Sequence, residues 1–133
     1  MKKYVRTYLI YNIMCSIIGY FGHDKAAPTL VRGLKRMEYR GYDSVGVVTG
    51  SGNKLTLKKG VGRVSEVNTD IGLDQLHGSI GIGHTRWATH GKVTEKNAHP
   101  HSSNSGKIAI VHNGIIENFE ELKSNLQNNG YKF

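Results

Sequence analysis

The sequence predicts an α+β domain in which sheets are covered by helices. Short apolar runs bounded by glycine outnumber the segments of helical period. One strongly amphipathic stretch demands a core to lie on. The 17 glycines against 2 prolines suit tight turns between strands.

Ser16 to Gly22 reads S-I-I-G-Y-F-G, a short apolar run closed by glycine, and predicts a buried strand. Ala27, Leu30, Val31, Leu34 and Met37 recur at helical spacing, with Pro28 in the first turn, where its missing N–H costs nothing. Arg32, Lys35 and Arg36 fall on the opposite face. Val45 to Val48 and Lys54 to Lys58 flank S-G-N, a strand–turn–strand pattern in which Leu55 and Leu57 share a face. Val64 to Leu76 predicts a short helix and a loop. Ile80, Ile82 and His84 alternate with glycines and lead into a polar, histidine-rich loop. Ile108 to Val111 predicts another buried strand. Asn118 and Glu121 have the spacing of a capping box for a last helix, whose apolar face is Phe119, Leu122 and Leu126 and which Gly130 ends.

The 133 residues suffice for one modest core and not for two developed domains. The formal net charge of +8 is spread along the chain, with no RNA-recognition signature or zinc-finger spacing, so a nucleic-acid partner is not expected. No apolar run is long enough to span a membrane, and a cytoplasmic protein is expected. The segment 1–14 is basic and then mildly apolar, but its apolar part is short and no small-residue cleavage site follows.

Chemistry-bearing residues gather where strands end: E-Y-R-G-Y-D-S (Glu38 to Ser44), H-T-R-W-A-T-H-G (His84 to Gly91), N-A-H-P-H (Asn97 to His101) and H-N-G-I-I-E-N (His112 to Asn118). Cys15 is the single cysteine, so no intramolecular disulfide is possible. As a nucleophile it needs a base. A histidine could serve. So could its own α-amine, were Cys15 the first residue of the mature chain, because that amine titrates near neutrality. Cys15 directly follows Met14, as a nucleophilic first residue follows a start codon. Three bland readings stand beside these. Arg40 and Asp43 could pair to brace a turn, and Trp87 could be a core aromatic. His99 and His101 could bind a metal, although no carboxylate or cysteine stands at a familiar spacing, so structural hydrogen bonding is expected and no metal. His112 is expected to support the Asn-Gly turn.

Together with M-C-S-I-I-G-Y-F-G at Met14, these motifs in this order resemble the class II glutamine amidotransferases of the N-terminal-nucleophile hydrolase group, and within them the glucosamine-6-phosphate synthase branch. The resemblance covers Met14 to Phe133. It implies an incomplete four-layer α/β/β/α sandwich, with residues 15–133 forming part of the amidotransferase domain. It implies that Cys15 attacks the γ-carboxamide of L-glutamine to form a glutamyl thioester, with Asn113 and Gly114 as the oxyanion hole. Arg86 would hold the glutamine α-carboxylate, and Thr89 and His90 would complete that loop. Trp87 would belong to a lid, and Arg40 and Tyr42 would shape the floor around the nucleophile. The ammonia would convert D-fructose 6-phosphate, bound by isomerase domains absent here, into D-glucosamine 6-phosphate in a homo-oligomer. No metal or organic cofactor is implied. The alternative is an inactive glutamine-binding or interaction module.

Three departures from the family pattern bear on activity. Residues 1–14 precede Cys15 and would acylate its nitrogen; an upstream start assignment or a cleaved propeptide would each account for them. Ser16 stands where the family usually has glycine. The family's domain continues beyond the position of Phe133 for roughly another hundred residues, a typical domain remainder. The chain as written is therefore expected to be a fragment without useful amidotransferase activity.

Overall fold

The apolar runs pair as strands of one antiparallel sheet. In the computed structural model, which describes residues 14–89 and 91–132, strand β1 (Ser16–Phe21), β2 (Ser44–Ser51), β3 (Lys54–Val61) and β4 (Ile80–Arg86) lie in the order β1-β4-β2-β3. The turn at 52–53 makes β2 and β3 a hairpin, as the S-G-N signal predicts. Residues 1–13 of the expected leader, and His90, lie outside the described residues.

Alternation along the strands sorts the side chains onto two faces. Ser16, Ile18 and Tyr20 share a face with Val45, Val47 and Thr49, given the β1–β4 and β2–β4 registers. Helix α1 (Ala26–Met37) covers that face, burying Ala27, Leu30, Val31 and Leu34. Ile18, Tyr20 and Met37 pack against the same cluster. Helix α2 (Val64–Ile71) adds Val64 and Val67 to it, and Leu73 and Leu76 complete it from the turn beyond. Fully burying such an aliphatic side chain stabilises the fold by roughly 1.5–3 kcal/mol. The start of α2 is satisfied from a distance. Glu38 accepts the Val64 N–H at 2.6 Å and pairs with Arg63 at 3.6 Å, while Glu66 accepts the Arg63 N–H.

The opposite face carries Phe21, Ile80, Ile82, Val48, Leu55 and Leu57 toward one end and His84 and Arg86, with Ile17 opposite His84, toward the other. A two-stranded pair, β5 (His101–Ser102) with β6 (Ala109–Ile110), lies on this side. Ile108 and Ala109 share a cavity of about 310 Å³ with Val48, Leu55, Ile80 and Ile82. The domain is α+β as expected. Among the described residues the helix layer and first sheet are built, and β5–β6 is a small part of a further layer.

Two local expectations are corrected. Ile108 to Val111 was expected to be a buried strand. It pairs over only two residues and leaves Ile108 62 % and Ile110 58 % exposed, because nothing among the described residues covers that side. Helix α3 (Phe119–Asn128) forms, but the Asn118 side chain makes no cap hydrogen bond, and Phe119, Leu122 and Leu126 stay at least 40 % exposed. Phe119 lines the cavity of the site end, and Leu122 and Leu126 leave part of the stripe open to solvent.

The site end of the sheet is closed by a close approach. The backbone of residues 98–100 crosses directly over Gly46 of β2, where a Cβ would collide with the His99 carbonyl oxygen and also crowd Pro100. Lys59 of β3 holds this segment by donating to the carbonyls of Ala98 (2.6 Å) and Pro100 (3.3 Å). We expect Gly46→Ala to destabilise the fold by on the order of 1–3 kcal/mol, as overpacking does; urea unfolding with an unchanged midpoint would contradict this contact.

Candidate active site

The site forms where β1 begins and β4 ends. The two strands are antiparallel with Ser16 opposite Thr85, so Cys15 comes to lie beside Trp87. The Trp87 N–H donates to the Cys15 sulfur at 3.3 Å, and the thiol lies 3.6 Å from the Trp87 carbonyl oxygen. Ser16 fits here without strain. It pairs within β1, no described non-glycine residue has a positive φ, and its hydroxyl lies 3.4 Å from the Met37 carbonyl it donates to.

A cavity of about 390 Å³ opens at this end, within the usual range for a small-molecule site. Cys15, Arg86, Trp87, Thr89 and Gly114 all line it. Asn113 borders it through two hydrogen bonds. Its Nδ2 donates to the Cys15 carbonyl at 3.1 Å, and its Oδ1 lies 2.7 Å from His84 Nε2. Gly114 has φ +145°, and a Cβ there would lie 3.1 Å from the His112 ring, so the turn after Asn113 favours glycine. Arg86 is 9 % exposed, and its Nη1 donates to the Lys92 carbonyl at 3.1 Å, which ties the guanidinium to the loop beyond β4.

Arg40 and Tyr42 are not on the cavity wall. The Arg40 carbonyl accepts the Met14 N–H and its guanidinium reaches Met14 Sδ, so it holds the chain just before the nucleophile. Tyr42 packs edge-on against Trp87 at 5.4 Å between ring centroids and lies under Arg63 at 4.8 Å. Asp43 accepts the Ala88 N–H at 2.7 Å, so its carboxylate braces the loop after β4. His90 lies outside the described residues.

Four histidines that the candidate residues above do not include line the cavity, His84, His99, His101 and His112, and the rings of the first three are in contact. His84 (β4) stacks on His99 at 4.7 Å between centroids, and His99 meets His101 edge-on at 4.4 Å. His99 Nδ1 accepts the His112 N–H at 3.3 Å. The structural role expected of His99 and of the His112 segment is thus a direct bond between them. Sequence alternation could have found His84, since Ile80, Ile82, His84 and Arg86 fall on one strand face. Burial pushes the imidazoles of His84, His99 and His101 below their ordinary range. His99 is driven down to about 3, chiefly by burial and then by His84, His101, Arg86 and Lys59 around it.

The fold and several motifs have close counterparts among known proteins. A family model described as a glutamine amidotransferase domain matches residues 69–133. Glutamine–fructose-6-phosphate aminotransferases (isomerizing) of Thermococcus kodakarensis and Pyrococcus horikoshii are 56 % and 55 % identical to this chain, each over 120 residues. These matches cover 90 % of the chain and 20 % of each relative, so the chain spans about a fifth of their length. The structure of glutamine phosphoribosylpyrophosphate amidotransferase of B. subtilis, complexed with ADP and GMP, superposes with a TM-score of 0.74 at 36 % identity. A structure described as the allosteric regulatory enzyme of purine biosynthesis does so at 0.75 and 37 %. Each superposition covers 88 % of this chain and 26 % of the other. Over the matched residues this chain is similar to glutamine amidotransferase domains.

The lowered imidazoles have a consequence for stability. Between 6.5 and about 3, the unfolded chain takes up a proton at His99 that the folded chain refuses. The folded state therefore loses stability as pH falls through that window, and His84 and His101 act in the same direction. We expect His99→Gln to flatten this part of the stability profile, measured as the urea midpoint against pH. A wild-type midpoint that rises on acidification would contradict it.

Proposed function

We propose that this chain is the glutamine-hydrolysing part of an enzyme that makes D-glucosamine 6-phosphate from D-fructose 6-phosphate and L-glutamine. The observation that carries the reading is that the Cys15 sulfur, Gly114 and Arg86 line one cavity, with Asn113 tied to the Cys15 carbonyl at its edge. The relatives named glutamine–fructose-6-phosphate aminotransferase add the choice of acceptor sugar.

In this reading the Cys15 sulfur attacks the γ-carboxamide carbon of glutamine. The Asn113 side-chain N–H and the Gly114 backbone N–H stabilise the oxyanion. The carbonyl re-forms as the carbon–nitrogen bond breaks, giving a glutamyl thioester and ammonia, and water releases glutamate. The base is the α-amine of Cys15. It takes the thiol proton and passes it to the leaving nitrogen, which requires that residues 1–14 be absent from the mature protein. Arg86 receives the α-carboxylate. Thr89 and His90 complete its loop, and Trp87, backed by Tyr42, is part of the lid. Arg40 shapes the floor around the nucleophile, and its contacts to Met14 belong to the chain that still carries residue 14. Residues 15–133 are the leading part of the amidotransferase domain. Isomerase domains elsewhere in a cytoplasmic homo-oligomer bind fructose 6-phosphate. Among the described residues no helix is long and apolar enough to cross a membrane.

Four versions of the protein test this: the chain as given, the chain begun at Cys15, the chain continued to full length, and both changes together. An acylated Cys15 nitrogen cannot accept a proton, and general-base assistance is worth about a hundredfold or more. We expect strong glutamate release from the doubly changed version alone, together with labelling of Cys15 by a diazo-ketone analogue of glutamine. Robust release from the 133-residue chain, or from a Cys15→Ala enzyme, would sink the mechanism.

Arg86→Lys keeps the charge and loses the planar fork. In the full-length protein begun at Cys15 it should raise KM for glutamine about tenfold or more, the cost of one good charged hydrogen bond, without loss of the folded state. Unaltered glutamine dependence in Arg86→Ala would make Arg86 a scaffold residue.

A further inference from the structure

We propose that His84 is the positioning residue of the oxyanion hole: its Nε2–H, donated to Asn113 Oδ1, decides which way the Asn113 amide faces. The proposal rests on the amidotransferase reading of the site.

An asparagine amide has nearly the same shape when flipped, and its neighbours alone select the orientation. In one orientation an Asn113 N–H can face the developing oxyanion. In the other a carbonyl oxygen is turned about, and the hole loses a donor. Two neighbours decide. The Cys15 carbonyl oxygen, 3.1 Å from Asn113 Nδ2, can only accept. His84 Nε2, 2.7 Å from Oδ1, must then donate. Were the ring proton on Nδ1 instead, Asn113 would meet an acceptor on both sides and neither orientation would satisfy it.

The surroundings of His84 favour that tautomer. Nδ1 is fully buried and has no hydrogen-bond partner among the described residues. A proton there would be a stranded donor. A second proton would add a charge to a buried ring near Arg86, and burial already holds His84 below the ordinary histidine range. His99 stacks on the ring and takes the His112 N–H on its own Nδ1. One histidine thus fixes the Asn113 side chain, and the next fixes the peptide before it. His84 does not compete with the Cys15 amine as a base, because its Nε2 is committed to Asn113.

The test uses the full-length protein begun at Cys15. Imidazole nitrogen NMR of the unmutated protein at neutral pH should give His84 as a neutral ring protonated on Nε2. A ring protonated on Nδ1, or on both nitrogens, overturns the proposal. Kinetically, His84→Leu removes the donor and should lower kcat for glutamate release about tenfold to a hundredfold, approaching the loss of an oxyanion donor. KM for glutamine should stay unchanged. His84→Gln, whose amide can donate from a similar position, should recover most of that kcat. A loss confined to KM, or equal losses in both variants, overturns the positioning role. Should His84→Leu fail to fold, the tautomer measurement still decides. Absence of glutamate release from the unmutated protein would count against the amidotransferase reading alone, because the wrong tautomer defeats the proposal whatever the protein catalyses.

Discussion

The register of β1 on β4 is the constraint from which the site follows. Ser16 opposite Thr85 sets the Cys15 sulfur against the Trp87 N–H, and β4 also pairs with β2 so that Arg86 stands opposite Ser44. A slip of one residue would exchange the two faces of β4. His84 and Arg86 would turn toward α1, and the small residues beneath that helix would turn away from it. The apolar core between α1 and the sheet therefore enforces the register, and the register sets Cys15 beside Trp87. The packing of Leu30 and Leu34 on one face and the chemistry on the other are two consequences of one pairing.

Neutral imidazoles solve a packing problem beside that register. The segment 98–100 must lie against the sheet close to Arg86 and Lys59, both cationic. Cationic residues there would be repelled, and plain aliphatic ones would leave the His112 N–H without an acceptor. Neutral rings fill the layer between β4 and the segment and still offer one lone pair or one N–H where it is needed. Lys59 works from the other side. Its ammonium is partly buried among the carbonyls of residues 98 and 100, which draws the segment down onto β2. Burial lowers its proton affinity, while Glu95 acts the other way. The loop is held by polar contacts, so its hold on the oxyanion turn responds to protonation in a way an apolar core would not.

Much of this was legible in the sequence, for identifiable reasons. β1, the β2–β3 hairpin and α1 carry their periodicity and punctuation within short windows, and each formed close to where it was read. Cys15 stood out as the single cysteine directly after a methionine, and Arg86 and the Asn-Gly step through the motifs that carry the family resemblance. What escaped notice depends on partners distant in the chain. Glu38, in the motif E-Y-R-G-Y-D-S, turns to cap α2 at Val64. Asp43 spends its carboxylate on Ala88 N–H, a choice between two plausible partners that no local spacing decides. The run Ile108 to Val111 looks buried by composition alone, and composition cannot say what covers it. His84 was visible as an alternating residue, but its task lies 29 positions along the chain at Asn113.

The two faces of the sheet differ in how complete they are, and the difference bears on the site. The helix face is closed, with Leu30, Leu34, Val47 and Leu73 fully buried. The other face leaves Ile17, Phe21 and Ile80 at 45 %, 84 % and 49 % exposure. A row of that size is what a second sheet ordinarily covers in a stacked architecture. His84 and Arg86 share this face, and Gly114 and Phe119, the first residue of α3, line the same cavity with them. Ile17 of that row stands opposite His84, so a layer laid over the row would reach the cavity end and exclude water there. Electrostatic stabilisation by fixed donors gains strength as water leaves. In the proposed reading, covering that row and strengthening the Asn113 and Gly114 donors are one physical event, and the polar anchors at His84, His99 and Lys59 hold the turn in register for it.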